Sequence, residues 1–343
     1  MSYKNSRLII ISYAVSLIAL IVIGILMRLQ FVGFLPKELA TLQWRQAHSH
    51  LGFFGVLVPM TWIINETFNN LFRYSKTLYF YLALVAISFF SFLDSGYNII
   101  SHIASGFIFS IWIFTFFRNE SHQSKQIFEK IMNSVLLIFS LIMVILGRKI
   151  YPHLTLDKLA HGFVFNLLFL IIVPSVVKKI LRSFQYKALW PVWWLGCLLM
   201  YLHETQIIVT HYGALILALV MISQLIIKFN ELKKDFFYNV LIFITFGLLY
   251  LFIQSSELSY QFSIAMIHFI FLSFLTTYFL SIFLQYAHSI IFFSISSLMS
   301  TFIWSIDFFP EYAKYIHLSL AVLGTGLLIL IVDAFYKFAK SHT

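Results

Sequence analysis

The chain is dominated by apolar runs that are long enough to cross a bilayer and that follow one another with only short connections. A helix crosses about 30 Å of hydrocarbon with about 20 residues, because each residue rises about 1.5 Å. Of the 343 residues, 61% are hydrophobic and only 10% are charged. Soluble domains are about half apolar and a quarter charged. The sequence therefore predicts an all-α, polytopic integral membrane helix bundle and excludes a soluble fold.

The apolar runs predict about twelve transmembrane helices that form a single transmembrane helical domain over 1–343, with no soluble domain. The predicted spans are 8–28, 46–65, 77–93, 98–117, 131–147, 158–177, 188–203, 207–227, 237–254, 260–283, 286–305 and 315–336. The seventh and ninth spans are short, so ten or eleven full crossings with a re-entrant segment are the open alternative. The first run is too long for the core of a signal peptide and is predicted to be retained.

The positive charges are distributed unequally over the two sides of this predicted topology. Sixteen of the 23 Lys and Arg residues fall on the side that holds both termini. Cytoplasmic loops are enriched in Lys and Arg, so both termini are predicted to be cytoplasmic, in a bacterial inner membrane. The net charge of +10 then faces anionic lipid, which makes the lipid bilayer the expected partner and gives no reason to expect nucleic acid.

The histidines carry the strongest functional signal in the sequence. Of the 12 histidines, nine fall toward the outer side of the predicted bundle, and each even-numbered span carries one in its outer half. Ionisable residues at membrane depth are costly and usually face a bundle interior, and imidazole is the commonest metal ligand in proteins. The single cysteine, Cys197, excludes an internal disulfide and a Cys-rich cluster. The pattern predicts a histidine-rich metal or haem site in the outer half of the bundle.

Helical geometry limits which histidines can share one ligand. His48 and His50 are two residues apart, which is about 200° around a helix, so a regular helix cannot direct both at one centre. His48 shares its face with Gly52 and Gly55, which allows the close approach of a flat macrocycle or of a neighbouring helix, the latter being the commoner explanation. His268 lies about 12 Å into the tenth span and is the strongest single candidate for an axial haem ligand.

The segment Trp44-Arg-Gln-Ala-His-Ser-His-Leu-Gly-Phe-Phe-Gly55 resembles the second transmembrane helix of the haem–copper oxidase superfamily. Its nitric-oxide reductase branch carries a similar Arg-x-x-His phrase, and the NnrS-like haem–copper membrane proteins carry a His-x-His followed by a Phe-Gly-rich helix. The resemblance implies a haem with His48 as one axial ligand, His50 as its substitute and His268 as the opposite ligand. It also implies copper near His161 and His203. Histidines at a similar depth make His102 and His211 further metal candidates.

The sequence also departs from that superfamily. The seventh span has no tandem His-His, and His161-Gly162-Phe163 stands on the sixth span where an oxidase has His-Pro-x-Val-Tyr. The resemblance therefore favours a divergent, NnrS-like member over a respiratory oxidase. It implies handling of nitric oxide, oxygen or electrons, with an electron-donor protein or other membrane subunits as partners, and leaves open whether the protein is an enzyme.

Two other functions fit the same residues. In a transporter, the histidines would line a substrate or proton path together with Glu66, Asp94, Glu204 and Asp333. In an accessory subunit of a larger complex, the aromatic-rich surface would be covered by partners and the chain would have no chemistry of its own. An absorption spectrum of the purified protein separates the haem hypothesis from both.

Overall fold

The computed structural model describes residues 3–36, 42–64, 75–118, 127–167, 169–170, 189–205, 207, 212–227, 264–265, 267–282 and 284–341. Every regular element within these ranges is helical, which confirms the all-α prediction for this part of the chain. The predicted span at 237–254 lies outside the described residues, as do parts of the spans at 158–177, 207–227 and 260–283.

The elements follow one another as α1 (Tyr3–Val32), α2 (Leu42–Leu51), π1 (Gly52–Leu57), α3 (Val58–Ile64), α4 (Ser75–Ser95), α5 (Ile99–Arg118), α6 (Ile127–Ile150), α7 (Leu156–Leu167), α8 (Leu189–Glu204), α9 (Tyr212–Ile227), π2 (Phe269–Thr276), α10 (Thr277–Ile282), α11 (Ser289–Ser305), a 3-10 turn (Pro310–Tyr312) and α12 (Ala313–Ser341). Here π1 and π2 are π-helical. α2, π1 and α3 form one continuous helix, which begins a few residues before the predicted span.

Three helices of the described residues are long and apolar enough to cross a membrane, which supports an integral membrane protein. They are Leu8–Val32, Lys76–Ser95 and Pro310–Lys340. Six further helices of the described part are apolar but shorter. These are Ile99–Thr115, Ile131–Val144, Leu189–His203, Leu215–Gln224, Phe269–Ser281 and Ser289–Ser305. The full count of twelve spans stays a prediction.

The chain divides into two compact units, one of Met1–Glu120 with Ile267–Thr343 and one of Ser121–Met266. In the first unit, α1 packs against α12 and π1, α4 packs between α2 and α5, and α11 packs on α12 and π2. The ends of the chain thus meet in one unit through α1 and α12. The prediction of a single domain over 1–343 stays a prediction.

A proline and a tyrosine account for the π-helical register of π1. In this register the Val58 N–H donates to the Phe53 carbonyl, five residues earlier. The next donor would be Pro59, which has no N–H, so the Phe54 carbonyl has no backbone donor from that position. The hydroxyl of Tyr81, on α4, donates to the Phe54 carbonyl instead. A side chain from a neighbouring helix therefore satisfies the carbonyl that the proline leaves open.

A side chain also donates to a carbonyl within π2. The Thr276 hydroxyl donates to the Phe271 carbonyl, five residues earlier, at 2.9 Å. The whole of π2 is buried. π-Helices are rare and occur frequently at functional sites. π1 begins one turn after His48, and His268 is the residue directly before π2.

Small residues and paired Trp and Thr side chains fix the packing of the first unit. A Cβ atom added to Gly55 would lie 2.6 Å from the Ser16 hydroxyl oxygen, so π1 approaches α1 too closely for any larger residue. Gly55 is therefore explained by helix packing. Two reciprocal hydrogen bonds join α3 to α5, Trp62 to the Thr115 hydroxyl at 2.9 Å and Trp112 to the Thr61 hydroxyl at 3.2 Å.

The second unit is built on α8, which packs against α6, α7 and α9. Asn133 joins two neighbours, donating to the Leu170 carbonyl at 2.9 Å and accepting from Trp194 at 2.8 Å. Gly162, in the His-Gly-Phe phrase of α7, packs where an added Cβ atom would lie 2.7 Å from the Thr205 side chain. Gly162 therefore allows α7 to pack closely against the end of α8.

Candidate functional site

Two predicted site histidines, far apart in the sequence, lie side by side in the first unit. The imidazole rings of His48 and His268 have their centroids 6.3 Å apart and their planes inclined by only 18°. α2 supplies His48 one turn before π1, and His268 directly precedes π2. We refer to these two residues as the His pair.

The separation of the His pair has the size expected for two ligands on opposite sides of one metal. A metal bound to a ring nitrogen lies about 3 Å from the ring centroid, because the metal–nitrogen bond is about 2 Å and the nitrogen lies about 1 Å from the centroid. Opposed imidazoles then have centroids about 6 Å apart, whereas adjacent ligands of a tetrahedral ion have centroids about 5 Å apart. The observed 6.3 Å fits the opposed arrangement.

The ring of His48 lies beside α1 and leaves part of its polar capacity unused. It is within hydrogen-bonding reach of the Leu20 backbone, and its buried Nδ1 atom forms no well-aligned hydrogen bond with any residue that the structure describes. A buried polar atom of this kind normally has a partner, which is protein, water or a ligand. Both His48 and His268 are half-buried residues.

A glycine of α1 makes room for His48. A Cβ atom added to Gly24 would lie 3.3 Å from Cε1 of His48. This distance is tighter than an ordinary van der Waals contact, so a larger residue at this position would displace the ring. Gly52 behaves differently, because its added Cβ atom would meet Leu20 at an ordinary 3.6 Å. The small residue that matters for the position of His48 is therefore on α1, not on the face of α2 and π1.

The composition of the site distinguishes a haem from a bare ion. Within the described ranges, no group of three or more His, Cys, Asp or Glu residues could hold a metal ion. A zinc or copper ion bound by protein alone usually takes three or four such ligands. A haem needs only one or two axial ligands from the protein, because the porphyrin supplies the other four nitrogens. Two opposed imidazoles therefore fit a haem iron.

His50 points away from the His pair, in agreement with its two-residue offset from His48. Its ring stacks on Phe92 at a centroid distance of 3.8 Å and meets the edge of Tyr97 at 5.6 Å. Its Nδ1–H donates to the Gln46 carbonyl at 2.9 Å. His50 is thus held in an aromatic cluster at the α2–α4 contact, and the structure gives no support to its role as the substitute ligand.

The other predicted metal ligands lie on other elements of the described structure or outside it. His102 is exposed on α5, where its Nδ1–H donates to the Asn98 carbonyl at 2.7 Å and its ring lies 5.5 Å from that of Tyr97. His203 is buried at the end of α8, in the second unit. The side chains of His161 and His211 lie outside the described part of the chain. The copper site stays a prediction.

A second histidine contact near the His pair was not predicted from the sequence. Nη1 of Arg28 donates to Nδ1 of His317 at 3.1 Å, since a guanidinium has only donors. Phe31 stacks on the same ring at a centroid distance of 4.8 Å. Arg28 also places its positive charge near His48. The sequence could have indicated part of this contact, because the helical spacing of Gly24, Arg28 and Phe31 places them on one face of α1.

No family model, no curated protein and no solved structure matches the chain. The resemblance of residues 44–55 to the haem–copper oxidase superfamily therefore stays a prediction from those residues alone.

Proposed function

We propose that this protein is a haem-binding integral membrane protein in which His48 and His268 are the two axial ligands of one haem. The observation that carries the proposal is the pair of nearly parallel imidazoles with centroids 6.3 Å apart. Support also comes from the buried Nδ1 atom of His48, which forms no well-aligned hydrogen bond with any described residue, and from the π-helices that follow each histidine.

Electron transfer is the activity that this ligand set favours. A bound haem supplies a one-electron couple and, where an axial position is open, a site for small gases. In the proposed site His48 and His268 occupy both axial positions, so none is left for oxygen or nitric oxide. The two residues also lie on separate segments of the first unit, which holds the rings in fixed positions during a change of charge. Arg28 contributes a nearby positive charge.

The proposed setting is a bundle of about twelve spans in a bacterial inner membrane, with both termini cytoplasmic and the haem in the outer half. The three long apolar helices and the excess of Lys and Arg on one side of the predicted topology support this setting. An electron-donor protein or another membrane subunit is the expected partner. Copper bound by His102, His161, His203 or His211 remains part of the hypothesis without further support.

An absorption spectrum of the protein purified from haem-sufficient cells tests the proposal directly. We expect a Soret band with the sharp reduced-state bands of a six-coordinate, bis-imidazole haem. His48→Ala and His268→Ala should each remove the haem or convert it to a five-coordinate form. His50→Ala is the matched control, because it removes a histidine two residues away on the same helix, and it should leave the spectrum unchanged.

Two outcomes would contradict the proposal. One is a colourless preparation from haem-sufficient cells, which would shift the weight to a transporter or to a subunit without chemistry of its own. The other is a coloured preparation whose spectrum is unaffected by His268→Ala, which would keep the haem but reject the ligand assignment. Gel filtration and thermal unfolding of each variant show whether a loss of haem reflects a loss of the fold.

A further inference from the structure

Three buried hydroxyl groups on α1, π2 and α10 have hydrogen-bonding capacity that the protein does not fully use. The side chains of Tyr13, Ser273 and Thr277 are each fully buried, with no accessible surface. The hydroxyls of Ser273 and Thr277 form no hydrogen bond to any residue in the described part of the chain, and the hydroxyl of Tyr13 has the Thr276 side chain beside it. We refer to these three residues as the hydroxyl cluster.

Several other buried hydroxyls of the first unit have backbone partners. Buried hydroxyls on neighbouring helices donate to carbonyls of their own helix, three or four residues earlier. Examples are Thr61 to Val58 at 2.7 Å, Ser296 to Phe292 at 2.8 Å and Ser300 to Ser296 at 3.0 Å. Backbone carbonyls are thus the usual partners of hydroxyls in this protein, as is common in transmembrane helices. The hydroxyl cluster requires a different partner.

The π-helical register aligns the hydroxyls with the histidine. In an α-helix, Ser273 would lie about 140° around the axis from His268, because five residues cover more than one turn. In a π-helix, residues five apart are hydrogen-bonded neighbours, so Ser273 comes to the same side as His268. Thr277 follows Ser273 by four residues, about one turn further along the helix. The wide turn of π2 therefore directs both hydroxyls to the side that presents His268.

Tyr13 reaches the same segment from α1. Its ring contacts that of Phe279, on α10, at a centroid distance of 4.5 Å, and its side chain lies beside Thr276. Thr276 uses its hydroxyl hydrogen on the Phe271 carbonyl, so its oxygen can only accept further hydrogen bonds. Ser273 and Thr277 offer two free donors, and the hydroxyl oxygens of all four side chains can accept. This set suits a ligand that both donates and accepts hydrogen bonds.

We propose that the hydroxyl cluster binds internal water next to the His pair. Buried water typically makes about three hydrogen bonds to polar groups that the protein leaves open, which is what Tyr13, Ser273 and Thr277 provide. A charged ligand is not favoured, because the cluster offers hydroxyls only. The proposal does not depend on haem, since it rests on hydroxyl groups that belong to the protein.

X-ray radiolytic labelling tests the proposal, because hydroxyl radicals formed from bound water modify the buried side chains next to it. Tyr81 is the internal control: it is equally buried, and its hydroxyl is satisfied by the Phe54 carbonyl. We expect Tyr13 to be labelled several-fold faster than Tyr81 in the wild-type protein, with or without haem. The double variant Ser273→Ala/Thr277→Val should lower the rate at Tyr13 to that of Tyr81. Ser300→Ala, which removes a hydroxyl that is already satisfied, should not.

Equal labelling of Tyr13 and Tyr81 in the wild-type protein would overturn the proposal. A second measurement covers the case in which the double variant does not fold. If the cluster is dry, Thr277→Val removes an unsatisfied hydroxyl and must raise the melting temperature. If water is bound, Thr277→Val removes a hydrogen bond and the melting temperature does not rise. A colourless protein with rapid labelling at Tyr13 would reject the proposed haem function and keep the water site.

Discussion

At the scale of single residues, two histidines that are neighbours in sequence have different surroundings. His48 faces His268 and Gly24, and its Nδ1 atom forms no well-aligned hydrogen bond with any described residue. His50 stacks on Phe92 and donates to the backbone of its own helix. The rotation of about 100° per residue in a helix produces this divergence. The contacts of His50 are those of a packed residue, and the ligand role of His48 stays a prediction.

The position of the His48 ring should depend on the absence of a side chain at Gly24. Gly24→Val introduces atoms at and beyond a Cβ position that is 3.3 Å from Cε1 of His48, so the ring must move. We expect haem retention to weaken about tenfold, equivalent to about 1.4 kcal/mol, measured by transfer of haem to an acceptor protein. Gly106→Val is the control, because nothing lies within 4 Å of its added Cβ atom. Equal retention in both variants would show that Gly24 does not position the ring.

At the scale of elements, the two π-helices are the features that connect the fold with the candidate site. Each follows one member of the His pair, and each contains a carbonyl that accepts from a side-chain hydroxyl. In π1 the donor is Tyr81 from α4, and in π2 it is Thr276 from the same segment. The wider turn changes which residues share a face of the helix. The π-register therefore affects which side chains of π2 lie on the same side as His268.

Removal of the Tyr81 hydroxyl should destabilise the first unit. Tyr81→Phe leaves the Phe54 carbonyl without its donor in a buried helix, and a buried unsatisfied group costs about 1–3 kcal/mol. Thermal unfolding followed by circular dichroism in detergent measures the change. Tyr79→Phe is the matched control, since Tyr79 is on the same helix but its ring is half exposed. No difference between the two variants would mean that π1 does not need this hydrogen bond.

The contact of π1 with α1 should tolerate no added atom at position 55. Gly55→Ala places a methyl group 2.6 Å from the Ser16 hydroxyl oxygen and 2.7 Å from its Cβ atom. Overpacking of this kind typically costs about 1–3 kcal/mol, so the variant should melt at a lower temperature. The double variant Ser16→Gly/Gly55→Ala removes the two nearest opposing atoms, leaves Leu51 Cδ1 at 2.9 Å, and should recover part of the loss. Failure of this rescue would indicate that Gly55 is needed for its backbone and not for the contact.

At the scale of the whole molecule, the two ends of the chain are packed together through α1 and α12 in the first unit. α12 contains 29 residues, so it extends about 43 Å, which exceeds the thickness of the hydrocarbon core. Its two ends should therefore emerge on opposite sides of the membrane. Lys314 lies near its beginning and Lys340 near its end, and both are exposed.

Cysteine labelling at the two ends of α12 should report the orientation of the protein. The single native cysteine, Cys197, is buried, so a membrane-impermeant maleimide should leave the wild-type protein unlabelled. We expect Lys314→Cys to react in cells whose outer membrane is permeabilised while the inner membrane is intact. Lys340→Cys should react only after the inner membrane is also permeabilised. The reverse pattern would place both termini outside and contradict the orientation predicted from the Lys and Arg residues.

The sequence alone determined that the chain is helical and apolar enough for a membrane, because hydropathy and helical periodicity are local properties of consecutive residues. For the same reason, the two-residue spacing of His48 and His50 predicted that their side chains point to different sides of the helix. Only the tertiary structure decided that His48 meets His268, that Arg28 holds His317, and that Tyr81 supplies the donor for π1. Each of these contacts joins residues from distant parts of the chain, and its geometry depends on how whole helices pack, which no local pattern specifies.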